Sequence, residues 1–120
     1  MELAEKFNPM KVVDHESNRT YILDFSRETV EFAEARGFTW ELLGERPATL
    51  LPLIWYVAFR MHDPRISKEK TDKLLKEKGG LKPKELKRLH DLYDQCLAPL
   101  IANDDDEEDA KNAKVTVELD

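Results

Sequence analysis

Cys96, His15, His62 and His90 are the only soft or imidazole donors in this sequence. No pair of them has the close spacing of zinc ligands, and a metal site needs several donors converging on one point. His90 and Asp94 stand four apart, which on a helix allows one hydrogen bond and nothing more. Cys96 falls on an apolar stripe, where a cysteine behaves as a small hydrophobe, whereas a reactive thiolate needs an electropositive, accessible setting. Gly79-Gly80 follows no strand and precedes no Lys-Ser/Thr pair, so it is no phosphate loop. The carboxylates are many, but no pair is singled out for acid–base work. These residues predict no catalytic site, no metal and no cofactor, and therefore a protein that acts by binding.

Charge is the next candidate for chemistry. From Arg65 to His90 there are ten bases and four acids, among them Lys68, Lys73 and Lys76. From Asn103 to Asp120 there are eight acids and two lysines, which equals the whole net charge of −6. Residues 1–102 are neutral as a whole, so the basic stretch within them and the acidic tail carry charges of opposite sign and similar size. The lysines suggest a small nucleic-acid-associated regulator as the alternative function. Against it, no aromatics are interleaved for base stacking, and the chain as a whole is acidic. Nucleic acid is therefore the less favoured partner. The single cysteine fits a reducing, intracellular setting. Neither a signal peptide nor a bilayer-length apolar run is expected: the run from Ala48 to Phe59 is too short and holds Thr49 and Pro52.

The elements that must position these residues are mainly helical. Lys11–Asp14 and Thr20–Phe25 read as a short β-hairpin around a polar turn, with Tyr21, Leu23 and Phe25 on one face. Ser26 is an N-cap with Glu28 in the first turn, and Phe25 and Val30 have hydrophobic-staple spacing. That helix should stop at Gly37. Thr39 can cap a further turn presenting Trp40 and Leu43. A central helix from about Ala48 to Met61 is apolar all round, with Pro52 placed in its first turn. Ser67 caps a lysine-rich helix that ends at Gly79-Gly80, and Pro83 opens the last. Leu86, Leu89, Tyr93, Cys96 or Leu97, and Leu100 form the apolar stripe of that last helix, and Pro99 loosens its end. The expected fold is mainly α, four to five helices with a small N-terminal β-hairpin. Residues 1–10 are expected to be a flexible N-terminus, 11–102 a single α-rich domain, and 103–120 a flexible acidic tail. In the tail Asp104–Asp109 repel one another, and Lys114–Leu119 alternate like a strand with no obvious partner.

Trp40, Trp55, Tyr56 and Phe59 read first as core. Yet the lysine-rich helix has little apolar surface with which to cover the central one. Part of Trp55-Tyr56-Phe59 facing outward would make a protein-binding or self-associating surface. The expected contact residues are Trp55, Tyr56, Phe59, Lys68, Lys73 and Lys76.

Three segments carry a family resemblance: TYILDFSRETVEFAEARGFTW (Thr20 to Trp40), LPLIWYVAFRMHDPRISKEKTDKLLKEKGGL (Leu51 to Leu81) and KNAKVTVELD (Lys111 to Asp120). Together they resemble tail assembly chaperone-like proteins of long-tailed (siphovirus-type) bacteriophages and prophages. The likeness covers roughly residues 10–120 and rests on overall pattern, since that family has no catalytic signature. It implies a helical chaperone in the bacterial cytoplasm that holds the long, aggregation-prone tape measure protein while tail tube protein polymerises around it. Such a chaperone is absent from the mature virion, and many members also have a longer frameshifted form.

The opposite charge blocks motivate one hypothesis: the acidic tail docks reversibly on Arg65–Arg88 and competes with client or with self-association. Exposed pairing of this kind is weak per contact and screened over ~10 Å at moderate salt. Deleting residues 103–120 is expected to raise client affinity or oligomer size at low salt, by sedimentation and titration. No change in either would refute the docking.

Overall fold

The computed structural model describes residues 6–101 and 114–119. Two strands, β1 (Met10–Asp14) and β2 (Arg19–Leu23), precede five helices. These are α1 (Arg27–Ala35), α2 (Trp40–Leu43), α3 (Pro47–Arg60), α4 (Lys68–Lys78) and α5 (Pro83–Leu97), and a 3-10 turn at Ala98–Leu100 follows. The fold is mainly α with an N-terminal β-hairpin, as the sequence predicts.

Local signals set most boundaries. The hairpin is antiparallel with Val12 opposite Tyr21 and Asp14 opposite Arg19. Asp14 closes the turn by accepting from Glu16 N–H and from Ser17 Oγ, at 3.1 and 2.8 Å, and Asn18 takes the left-handed φ of 58°. Ser26 caps α1 by accepting from Thr29 N–H, and Thr29 Oγ1 accepts from Ser26 N–H in return. Gly37, at φ 87°, turns the chain away after α1. Ser67 caps α4, and the Gly79 and Gly80 N–H groups both return to the Leu75 carbonyl at its other end.

Pro52 departs from expectation. Pro47 takes the first helical position, so Pro52 lies inside α3 and not in its first turn. Its missing N–H deprives the Ala48 carbonyl of an intrahelical donor. Ala48 is exposed, so water can reach that carbonyl. A second correction concerns the N-terminus. Phe7 N–H donates to Gln95 Oε1, Gln95 Nε2 donates to the Phe7 carbonyl, and Arg88 donates to the Asn8 carbonyl. Residues 7 and 8 are therefore tied to α5, while residues 1–5 lie outside the described chain. The expected acidic run 104–109 also lies outside it. Lys114–Leu119 is described, adopts neither helix nor strand and is exposed.

The core is built around α3. Leu50, Leu53, Ile54, Trp55, Val57, Ala58 and Phe59 are all buried there. Tyr21 and Leu23 of the hairpin, Val30 and Ala33 of α1, Leu74 of α4, and Leu89, Leu92 and Tyr93 of α5 join the same cluster. The hairpin's end is tied to α3 by Asp24 N–H donating to the Ala58 carbonyl at 3.1 Å. Besides the packing of Leu74, the polar helix α4 is held by a buried hydrogen bond, with Trp55 Nε1–H donating to the Thr71 carbonyl at 2.8 Å. Thr71 itself is fully buried, and its Oγ1 donates to the Lys68 carbonyl.

Trp55→Phe removes the donor that ties α3 to α4 and opens a void under α4. It is expected to cost ~2–4 kcal/mol in urea unfolding.

Candidate functional site

The expected contact residues divide once the fold is known. Trp55 and Phe59 are fully buried, their rings edge to face at 5.0 Å, with Tyr21 edge-on to Phe59 at 5.3 Å. The expectation that they face a partner is therefore corrected: α4 and the hairpin cover both. The helix that looked too polar to cover α3 does so with Thr71 and Leu74, and with Ile66 just before it. Tyr56 alone of the three reaches the surface, half-buried. Its hydroxyl accepts from Arg60 at 2.9 Å, and its ring meets Phe32 edge-on at 6.1 Å. Arg36 and Arg60 both lie over the Phe32 ring, at 3.5 and 4.2 Å. This aromatic and arginine patch spans α1 and α3.

Lys68, Lys73 and Lys76 are exposed on α4, away from its buried Thr71 and Leu74. Much of the basic stretch is already partnered. Lys68 pairs with Asp72, Lys87 with Asp91 and Lys70 with Asp14 at 3.1, 3.0 and 3.7 Å, and Lys78 bridges to Glu85. Arg88 is spent on Asn8 and Phe7. Lys73 and Lys76 form no ion pair among the described residues. This internal pairing weakens the case for a nucleic-acid stripe, which needs its cations turned outward.

The Lys78–Glu85 pair closes the turn between α4 and α5. Burial pushes the Glu85 carboxyl up, but the Lys78 ammonium and the Lys82 N–H outweigh it and hold the group below its ordinary value. A carboxylate so depressed stabilises the fold above its unfolded pKa of ~4.3. The contribution is lost as pH falls through the lower folded value.

A different surface has the shape of a binding site. Trp40 and Leu43 on α2 face Pro83, Leu86, Lys87 and His90 on α5 across an open cleft of about 370 Å³. The α5 positions follow a spacing of three, four and seven, so one helix face supplies that wall. Thr39 sets the other wall by accepting from Leu42 N–H at 3.0 Å, which fixes the short helix α2. Trp40 is wedged edge-on against His90, Phe38 and Tyr93 at 4.5, 4.9 and 5.3 Å. Its far side borders a second hollow of about 510 Å³ that includes Glu34, Thr39 and Tyr93. Its Nε1–H is buried and has no hydrogen-bond partner, a condition that ordinarily costs ~1–3 kcal/mol. Charge lies at the rim, where His90 Nε2 stands 3.4 Å from Asp94.

Such a cleft can accept apolar side chains. None of Trp55, Tyr56, Phe59, Lys68, Lys73 or Lys76 lines it. The sequence pattern had marked Trp40, Leu43 and Leu86 as parts of elements without joining them, because the approach of α2 to α5 is a tertiary fact. Elsewhere, Cys96 is half-buried with its Sγ 3.2 Å from the Tyr93 carbonyl. Burial pushes its thiol up, with Asp24 and Asp94 adding to the effect, so it lacks the activation of a nucleophile. Burial likewise pushes Tyr93 up to about 12, with Glu34 the next contributor. Among the described residues no three His, Cys, Asp or Glu side chains converge as metal ligands, and no helix is long and apolar enough to cross a membrane.

A family model described as a Domain of unknown function (DUF5055) matches residues 3–119. Neither a curated protein nor a solved structure matches the chain.

The two tryptophans should respond differently to loss of the indole N–H. Trp40→Phe removes a buried donor that has no partner, so the change in urea stability is expected to stay within ~1 kcal/mol. A loss as large as that of Trp55→Phe would mean that Trp40 Nε1 is satisfied in solution.

Proposed function

We propose that this chain, which belongs to the DUF5055 family, is a non-catalytic assembly chaperone of the phage-tail kind. Its client is the helical tape measure protein, tail tube subunits, or both, and it acts in the cytoplasm of the bacterial host. The observation that carries the binding reading is the cleft between α2 and α5, walled by Trp40, Leu43 and Leu86. An amphipathic helix seats its apolar face in a groove of this kind, and tape measure proteins are long and helical. Tryptophan is also among the residue types that dominate binding energy at interfaces. The choice of client rests on the resemblance of Thr20–Trp40, Leu51–Leu81 and Lys111–Asp120 to tail assembly chaperone-like proteins.

A weak, renewable grip suits such a role. The cleft is shallow, so each client turn would bury a few side chains and leave readily when tube subunits arrive. Tyr56 with Phe32, Arg36 and Arg60 offers a second contact surface of hot-spot composition on α1 and α3.

Co-expression with the tape measure protein encoded nearby in the source DNA is expected to yield a soluble complex. Leu86→Lys, which places a charge in the cleft, is expected to weaken that complex at least ~10-fold by titration while the chain stays folded by circular dichroism. An insoluble, unbound tape measure protein would refute the choice of client. An intact complex with Leu86→Lys would refute the cleft as its site.

A further inference from the structure

β1 is an open edge. The sheet has only two strands, and β2 occupies one side of β1. Among the described residues, no backbone group of residues 10–14 makes a hydrogen bond outside the hairpin. Unpaired strand edges recruit another strand or are protected against doing so, and a lone two-stranded hairpin gains stability from a third. Beside this edge lies a groove of about 540 Å³ whose apolar floor is Met10, Val12 and Leu74, with Lys78 and Glu85 among its lining residues. Val13, which also lines the groove, is 49 % exposed although it is apolar.

The same chain carries an unpaired strand pattern. In Lys114–Leu119, Val115, Val117 and Leu119 alternate with Lys114, Thr116 and Glu118, and the three apolar side chains are 84, 81 and 90 % exposed. No other described segment leaves so many apolar side chains in water. We propose that Lys114–Leu119 docks within its own molecule as a third strand on the open edge of β1. Val115, Val117 and Leu119 then extend the inner face over Met10, Val12 and Leu74, and Lys114, Thr116 and Glu118 face water beside Lys11 and Val13.

Length and charge favour a segment of the same chain. Twelve residues separate Ile101 from Lys114, and an extended linker of that length reaches ~40 Å. That exceeds the two shorter dimensions of the molecule, 31 and 27 Å, and falls short of the longest, 56 Å. The linker carries the acids Asp104–Asp109, while α4, which forms part of the groove wall, presents exposed Lys73 and Lys76. Their attraction favours closure at low salt, although the groove itself is lined by Asp14, Glu16, Glu77 and Glu85. The inference goes beyond the chaperone reading and does not need it, since the occupant is part of the chain itself.

Amide exchange of the full chain by NMR tests this, alongside the full-length variant V115D/V117D, whose changes fall on exposed side chains. Strand-like shifts for residues 114–119 are expected. Alternate amides of Met10–Asp14 should exchange at least ~10-fold more slowly than in the variant. Both effects should be the same at low and high protein concentration. Coil-like shifts and unprotected amides in 114–119 would overturn the proposal, as would protection retained in V115D/V117D. Protection that rises with protein concentration would overturn it too, by assigning the edge to a second copy.

Discussion

Everything in this fold depends on covering α3. A helix with apolar residues around its whole circumference cannot lie on a surface, because any uncovered side costs ~25 cal/mol for each Å² left in water. Trp55, Val57, Ala58 and Phe59 occupy successive directions around the axis, and all are fully buried. The hairpin, α1, α2 and α4 each pack directly on α3, and α5 closes the cluster through Leu89, Leu92 and Tyr93. One face needs special means. The helix α4 has little apolar surface of its own, and the Trp55 indole secures it by donating into the Thr71 carbonyl. A buried hydrogen bond there substitutes for hydrophobic area, and it positions Leu74 and Ile66 to complete the seal.

That solution decides where the molecule can still bind. The side chains most attractive to a partner, Trp55 and Phe59, are consumed in holding the fold together. What remains is peripheral: the cleft where the short helix α2 meets α5, the arginine-flanked Phe32–Tyr56 patch, and the unpaired edge of β1. Each lies where an element ends or is too short to cover its neighbour fully. The basic stretch follows the same logic, since Lys70, Lys78 and Arg88 bind α4 and α5 to the hairpin, to each other and to the N-terminal residues. Their charge is structural first, which is why a sequence count of lysines overstates the cation available to a partner.

The legible parts of the sequence were local. Ser26, Thr39 and Ser67 cap helices because a side-chain oxygen satisfies an N–H two or three residues on, an interaction contained in four residues. Gly37 and Gly79 end helices because they enter the left-handed region without a Cβ penalty. The alternation of Tyr21, Leu23 and Phe25 located the core face of the hairpin and its continuation. The errors were of another kind. Pro47 and Pro52 each fit a helix start locally, and only the fold shows that Pro47 takes that position and Pro52 lies inside α3. Phe7 and Asn8 read as flexible because nothing near them in sequence reveals Gln95 and Arg88, which hold them.

By itself, then, the sequence determined the element types, their caps and ends, and the need for a buried central helix, since all of these follow from interactions within a few residues or from periodicity. Tertiary structure alone decided which aromatic residues face inward and which helix faces meet. Those outcomes depend on pairs such as Trp55 with Thr71, Trp40 with His90, and Phe7 with Gln95, where the partners are brought together by packing and not by spacing along the chain. The candidate site belongs wholly to that second class: Trp40 and Leu86 are far apart in sequence, and a cleft exists between them only because α2 is a single turn that leaves the start of α5 uncovered.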